Sequence, residues 1–357
     1  MLPYWLFFLL PAMMAIEGNP RWRLRRDGTR SVKIDASWFA VLIFLTVIIG
    51  WRYDVGGDWS NYFRFLFYAE RLDYFSALFQ DDPGYWILNV LAVRNGWGIA
   101  GVNVISGFFF AAGLVVFCRS LPRPWLALAV AMPYMVTVVA MGYTRQAVAL
   151  GFAMMGLVAL GRKNVFFFVL WVVIGATFHK SAVLLIPLAA FTIAKNRFFI
   201  GGLVLVTAGL AYEVLLSEAA AGLVATYQDE NIASAGALIR LSMNVMPAAL
   251  FMIYRRSFVM PEGEFKLWRI FSVLALASFA AYFTLPMSTA LDRMGLYLIP
   301  LQLVVFSHLP DVMGKFGRKN QSFVILIVGY YALVLFTWLV FANNSRWWIP
   351  YQIQFWQ

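Results

Sequence analysis

Apolar runs recur along the chain with almost no charge inside them. They lie at residues 1–16, 36–51, 98–117, 125–141, 146–160, 165–178, 181–194, 198–216, 237–254, 270–285, 294–308 and 323–342. A run of this kind closes its backbone hydrogen bonds inside an α-helix, which is what a bilayer demands of a lipid-exposed segment. Of the 357 residues, 62% are hydrophobic and 13% are charged, more apolar surface than a soluble domain of this size hides in a core. The reading is a single all-α polytopic membrane domain over residues 1–357. It has about twelve transmembrane helices, the shorter runs falling below the ~20 residues of a full span.

Charge sets the expected topology. The run at 1–16 lacks a charged start and is followed by Arg21, Arg23, Arg25, Arg26, Arg30 and Lys33. A signal peptide carries its positive charge before its apolar run, so this segment reads as a first membrane helix. One alternating set of loops holds nineteen Lys and Arg residues. The other set, with the helix ends facing it, holds nine: Arg52, Arg64, Arg71, Arg94, Arg145, Lys180, Arg240, Arg293 and Arg346. The richer side is expected in the cytoplasm, with both termini outside. These loops account for the formal charge of +11, so no nucleic-acid partner is inferred. A single cysteine, Cys118, rules out an intramolecular disulfide, and with only His179 and His308 no metal site is expected.

The longest outer loop is expected at 52–97. Its stretch Asn61–Phe79 is dense in aromatic rings and interspersed charge, which suits a helix lying in the membrane interface. Asp81-Asp82-Pro83-Gly84 reads as the turn that ends it. A second outer loop is expected at 217–236, and Arg346-Trp347-Trp348 near the C-terminus reads as an interfacial anchor.

Polar residues at helix ends gather on the outer side. Arg52, Asp54 and Asp58 follow the second run, and Arg145-Gln146 separates the fourth from the fifth. Phe178-His179-Lys180-Ser181 joins the sixth to the seventh, and Asp292-Arg293 precedes the eleventh. Ionisable groups at these depths cost insertion energy, and several at one level on one side point to a shared cavity. Plainer readings stand beside this one: Asp58 as a helix N-cap, Arg145 and Arg293 as snorkelling groups, Asp292 and Arg293 as a local pair, and Gly56-Gly57 as a turn. Arginine forks bind phosphate bidentately, and a nearby carboxylate or histidine accepts a proton from an attacking hydroxyl. An outward-facing site of this type suits a lipid-linked phosphate donor, since nucleotide donors are cytoplasmic. No Asp-x-Asp motif and no Gly-x-x-x-x-Gly-Lys loop occurs.

Five motifs in order run Gly50-x-Arg52-x-x-Val55-Gly56-x-Asp58-x-x-x-Tyr62, Arg145-Gln146, Phe178-His179-x-Ser181-Ala182, Asp292-Arg293-x-x-x-Tyr297 and Pro350-Tyr351. Together the series resembles the EpsG-like branch of the Wzy-type bacterial polysaccharide polymerases. The resemblance implies a GT-C-like membrane glycosyltransferase of the bacterial cytoplasmic membrane, needing no cofactor. It would join repeat units carried on undecaprenyl pyrophosphate, as donor and acceptor, at the outer membrane face, with a chain-length regulator as a further partner. With the clustering, it assigns Arg145 and Arg293 to the donor pyrophosphate and Asp58 or His179 as general base, with Arg52 assisting or holding Asp58. Gln146, Asp292, Tyr62 and Asp54 join the substrate-binding set. Two rivals stay open. A ligase would use the same donor, though its large outer loop is expected late in the chain. A flippase would show inverted repeats and paired mid-membrane charge, where this chain offers only Asn103, Asn244 and Gln302.

Overall fold

The computed structural model describes residues 1–22, 32–189, 237–284 and 288–354, apart from the side chains of Ala237, residues 288–290, Asp292 and Arg293. The expected run at 198–216 and the loop at 217–236 lie outside the described residues. Over their described residues the other apolar runs are helical. In chain order the helices are α1 (Leu2–Glu17), α2 (Ala36–Gly50), α3 (Trp59–Ala69), α4 (Tyr74–Leu78), α5 (Pro83–Arg94), α6 (Gly98–Ser120), α7 (Pro124–Ala131), α8 (Thr144–Gly161), α9 (Val165–Phe178), α10 (Ala237–Ile253), α11 (Glu262–Tyr282), α12 (Ser288–Leu298), α13 (Pro300–Met313) and α14 (Gln321–Phe341). Five described segments are long and apolar enough to cross a bilayer: Gly98–Ser120, Thr144–Gly161, Glu262–Tyr282, Met294–Met313 and Gln321–Phe341. Shorter apolar helices pack among them.

Small residues let these helices touch backbone to backbone. A Cβ added at Gly113 of α6 would stand 2.0 Å from the Gly151 carbonyl oxygen of α8. One added at Gly50, ending α2, would stand 2.5 Å from the Cα of Val104 in α6. Lipid tails are as apolar as leucine, so close backbone packing rather than hydrophobic exclusion drives helix association in a bilayer. Among the described elements, the α2–α6, α6–α8 and α8–α9 pairs meet most extensively.

Two local features shape the end of the bundle where α2 stops and α8 starts. Pro133 supplies no N–H to the preceding turn, and α7 runs on as a π-helix, Met132–Ala140. The Thr137 carbonyl there accepts the indole N–H of Trp348 at 2.7 Å. The C-terminal segment returns across this end. The Tyr351 hydroxyl donates to the Ile48 carbonyl at 2.7 Å, and the Tyr4 hydroxyl to the Trp348 carbonyl at 2.6 Å. Backbone bonds join Tyr53 to Gln352, Gly56 to Trp347 and Gln354 to Trp51. Gly56 is obligatory: its φ is +110°, and a Cβ would lie 2.5 Å from the Met141 carbonyl oxygen.

Two expectations need correcting. The interfacial helix over Asn61–Phe79 is two helices, α3 and α4. They break at Glu70–Asp73, where Asp73 caps α4 by accepting the Ser76 N–H at 2.8 Å. Trp348 is not a surface anchor. It is 3% exposed and wedged into the bundle, while Trp347 beside it is exposed.

The opposite end of the bundle, rich in Lys and Arg, is held by one closed ion pair and a second, more exposed one. Arg123, between α6 and α7, forks onto Asp311 of α13, Nε to Oδ2 and Nη2 to Oδ1, both at 3.0 Å. It also donates to the carbonyls of Lys319 at 2.9 Å and Arg318 at 2.7 Å. The Gly317 N–H donates to Asp311 Oδ1 at 3.0 Å. Nearby, Arg119 donates to the Lys33 carbonyl and to Asp35.

Candidate functional site

The site is built outward from the end of α2. Arg52 is 1% exposed, and a buried guanidinium has to find acceptors. Its Nε donates to the Val55 carbonyl at 3.2 Å, its Nη1 to the Ile49 carbonyl, and its Nη2 to Thr144 Oγ1 at 2.8 Å. Its bonds therefore run to this turn and to the start of α8 rather than to Asp58. Burial lowers the guanidinium to about 10, so it stays charged near neutrality. Arg52 pins the turn on one side and Thr144 on the other.

Thr144 is gripped twice. Its backbone N–H, one of the unbonded donors at a helix start, donates to the Tyr62 hydroxyl oxygen at 2.8 Å. Tyr62 is buried in α3, and burial pushes its phenol up to about 12. Arg145 follows directly. Its Nη1 meets Asp82 Oδ2 at 2.9 Å, and its guanidinium lies 4.8 Å from the Phe65 ring centre and 6.0 Å from that of Tyr85. The Arg145 side chain is 35% exposed and the Asp82 side chain 5%. Nε and Nη2 of Arg145 make no hydrogen bond among the described residues.

Asp82 is the residue the sequence reading missed. It stands just before Pro83 of α5 in a left-handed conformation, φ 56°, and does not cap that helix. The side chain turns inward instead. One oxygen takes Arg145, and the other accepts the Lys180 backbone N–H at 2.9 Å. Burial raises its carboxyl above the ordinary range, with Arg145 and the Lys180 N–H pulling the other way. In sequence, Asp81-Asp82-Pro83-Gly84 carries every mark of a turn. The signal available was that a carboxylate directly before a helix-starting proline need not serve the cap.

His179 and Ser181 stand at the matching break after α9. The chain is extended at His179, φ −156°, then winds into a short 3₁₀ segment, Lys180–Leu185. His179 is half-buried. Ser181 Oγ lies 3.2 Å from the Tyr297 hydroxyl of α12, joining the third motif to the fourth.

The remaining candidates divide. Asp58 occupies the N-cap position of α3, yet its side chain makes no capping bond. It is half-buried and accepts from Asn61 Nδ2 at 3.3 Å, which leaves the plain cap reading without its hydrogen bond. Gln146 is buried in α8. Asp54 is an exposed turn residue with φ 48° and does not join the others. Asp292 and Arg293 fall in α12, which packs against α8 and the 3₁₀ segment; their side chains lie outside the described residues. Hydrogen bonds thus link all five motif segments, from Arg52 to Thr144, Asp82, Lys180, Ser181, Tyr297 and the returning tail. The arrangement offers a partly exposed arginine fork over a buried carboxylate, with a second carboxylate and a histidine on segments joined to it. That set can bind a phosphate and accept a proton.

A groove of about 700 Å³ is lined by Trp51, Tyr53, Trp97, Val104, Ile105 and Ile353 among others, and Arg52 does not line it. Among the described residues no three His, Cys, Asp or Glu side chains group as a metal site.

The model of a protein family described as the EpsG family matches residues 35–353. The match opens at the residue capping α2 and closes at the one paired with Arg52, so all five motifs fall within it. No curated protein and no solved structure matches the chain.

Proposed function

We propose, from the premise that this chain belongs to the EpsG family of Wzy-type polymerases, that it polymerises a polysaccharide from lipid-linked repeat units at the outer face of the bacterial cytoplasmic membrane. Family membership and the apolar helices make it a multi-pass membrane protein. In our reading about twelve spans place both termini outside, in a GT-C-like arrangement. Helices α3 and α4 lie in the outer interface.

The donor is a growing glycan on undecaprenyl pyrophosphate, and the acceptor is a repeat unit on the same lipid. A hydroxyl of the acceptor attacks the anomeric carbon of the donor. The new glycosidic C–O bond forms as the bond to the pyrophosphate oxygen breaks, and the lipid pyrophosphate departs with that electron pair. Arg145, oriented by Asp82, and Arg293 bind this leaving group and stabilise the charge it gains. Asp58 takes the hydroxyl proton, with His179 as the second candidate. Gln146, Asp292 and Tyr62 complete the binding surface, no metal takes part, and Arg52 acts by holding the loop that presents Asp58.

The observation that carries this reading is the Arg145–Asp82 pair. A half-exposed arginine keeps donors for a ligand while its buried carboxylate also fixes the His179 segment through Lys180. The test is extension of a defined lipid-linked repeat unit by the purified protein, with and without a chelator, alongside single alanine variants of Asp58, Asp82, Arg145, His179 and Arg293. A normal ladder of chain lengths from all five variants overturns the proposal. Loss of long chains with single units still attached to the cell surface separates a polymerase from a ligase.

A further inference from the structure

Helices α12 and α13 form one apolar course broken at Ile299–Pro300, and the break has a specific partner. Pro300 brings no N–H to close the last turn of α12. The Ile299 N–H turns back to the Leu296 carbonyl at 3.3 Å. The Gly295 carbonyl is then taken by Asn244 Nδ2 of α10 at 2.8 Å. Gly295 lets α10 come this close, a Cβ there standing 3.1 Å from Leu241.

Asn244 is the first of three linked side chains. Its Oδ1 accepts from Gln302 Nε2 of α13 at 2.8 Å, and Gln302 Oε1 accepts from the Tyr331 hydroxyl of α14 at 2.9 Å. All three residues are at most 2% exposed. The chain of bonds starts on α14, passes through the half of the course below the break, and ends on the backbone of the half above it. Gly295 is two residues beyond Arg293 and two before Tyr297, which bonds Ser181.

Stability alone is a weak reason for such a chain. Hydrogen bonds inside a bilayer add little when measured pairwise, because the unfolded segments also find partners. Leucine packing would hold these helices about as well, but it tolerates sliding and rotation. Directional bonds do not. Pro300 leaves a carbonyl in the last turn of α12 without its helical donor, and the bond from Asn244 ties that turn to α10.

We infer that Asn244, Gln302 and Tyr331 are positioning residues for the transfer reaction, setting the rotation of α12, the helix that carries Arg293 and meets Ser181 through Tyr297. The inference rests on the reading of Arg293 as a ligand of the leaving pyrophosphate.

The test uses the full-length protein in nanodiscs, with initial rates of extension of a lipid-linked repeat unit and thermal unfolding measured on the same samples. Asn244→Ala and Gln302→Leu are expected to lower kcat about tenfold or more, and Tyr331→Phe about threefold, with Tm within a few degrees of the parent. The decisive comparison is a double-mutant cycle. Asn244→Ala should slow the parent but add nothing in an Arg293→Ala background. Equal slowing in both backgrounds, or an Asn244→Ala variant with parental kcat, overturns the relay alone. Full activity of Arg293→Ala overturns the role of Arg293 and the relay with it. Where the Asn244 variant fails to accumulate, Tyr331→Phe removes a single oxygen, and an unchanged kcat there overturns the inference.

Discussion

Two arginine–aspartate pairs stand at opposite ends of the bundle and are built differently. Arg123 and Asp311 are closed: the fork is bidentate, the side chains are 4% and 3% exposed, and two backbone carbonyls take further arginine donors. Arg145 and Asp82 are open: one arginine nitrogen bonds one carboxylate oxygen, and the arginine is 35% exposed. A closed pair has nothing left to offer a ligand, and its job is to join α13 and the loop at 314–320 to the start of α7. An open pair is oriented and charged but keeps donors in hand. Burial of the acid with exposure of the base separates a bound, aimed cation from a structural clamp.

The sharpest way to break this contrast is to remove one partner from each pair. Asp311→Ala strands a buried guanidinium, and loss of one partner of a buried pair costs about 3–5 kcal/mol. Thermal unfolding in detergent should show that loss, while extension rate per folded molecule stays near the parent's. Arg145→Ala should do the reverse, lowering the extension rate about 10²–10³-fold as expected for a lost charge-stabilising donor, with a smaller change in Tm. If Arg145→Ala mainly destabilises the protein, the two pairs are alike and the contrast fails.

A third variant separates orientation from charge. Asp82→Asn keeps an acceptor for Arg145 and removes the carboxylate charge, so extension should fall about tenfold, the range of one charge-assisted hydrogen bond. The pH profile follows from the raised carboxyl of Asp82. Protonation begins at a higher pH than for an ordinary aspartate and releases Arg145, so activity should fall on the acid side earlier than a normal carboxylate predicts. The Asp82→Asn variant should lose that limb. The sign for stability is opposite: a carboxyl raised in the folded protein favours its protonated form, so this group's contribution is present below the unfolded value and is lost as pH rises through the folded one. The smallest effect belongs to Asp54→Ala, which should change extension and Tm within error, about 0.5 kcal/mol. A marked loss of activity there would return Asp54 to the site.

Much of this was legible in the residues. Apolar runs gave helices wherever the chain is described, and the motif residues gathered at one end because run lengths decide which end of the bundle each helix terminus reaches. What stayed hidden was adjacency across the bundle. Arg52 was expected to assist or hold Asp58, and its donors run instead to the Val55 and Ile49 carbonyls and to the Thr144 hydroxyl, because a buried guanidinium must find acceptors where the fold supplies them. Asp82 looked like a turn and is the carboxylate under Arg145, because its inward rotation depends on α8 and the segment after α9 arriving from far along the chain. The run at 294–308 lies within one span, Met294–Met313, and what stayed hidden there was that Asn244 of α10 takes the carbonyl of Gly295 beside Pro300.

The sequence by itself determined the helical, membrane-embedded character of the chain, the family to which it belongs and the placing of its motif residues at helix ends. Those properties follow from local hydrogen bonding, hydrophobicity and motif order, and need no knowledge of neighbours. Only the tertiary structure decided which polar groups are partners, which arginine is closed and which is open, and what holds α12 past its proline. Those depend on the rotation and lateral packing of helices, which contacts between distant segments set and no local pattern encodes.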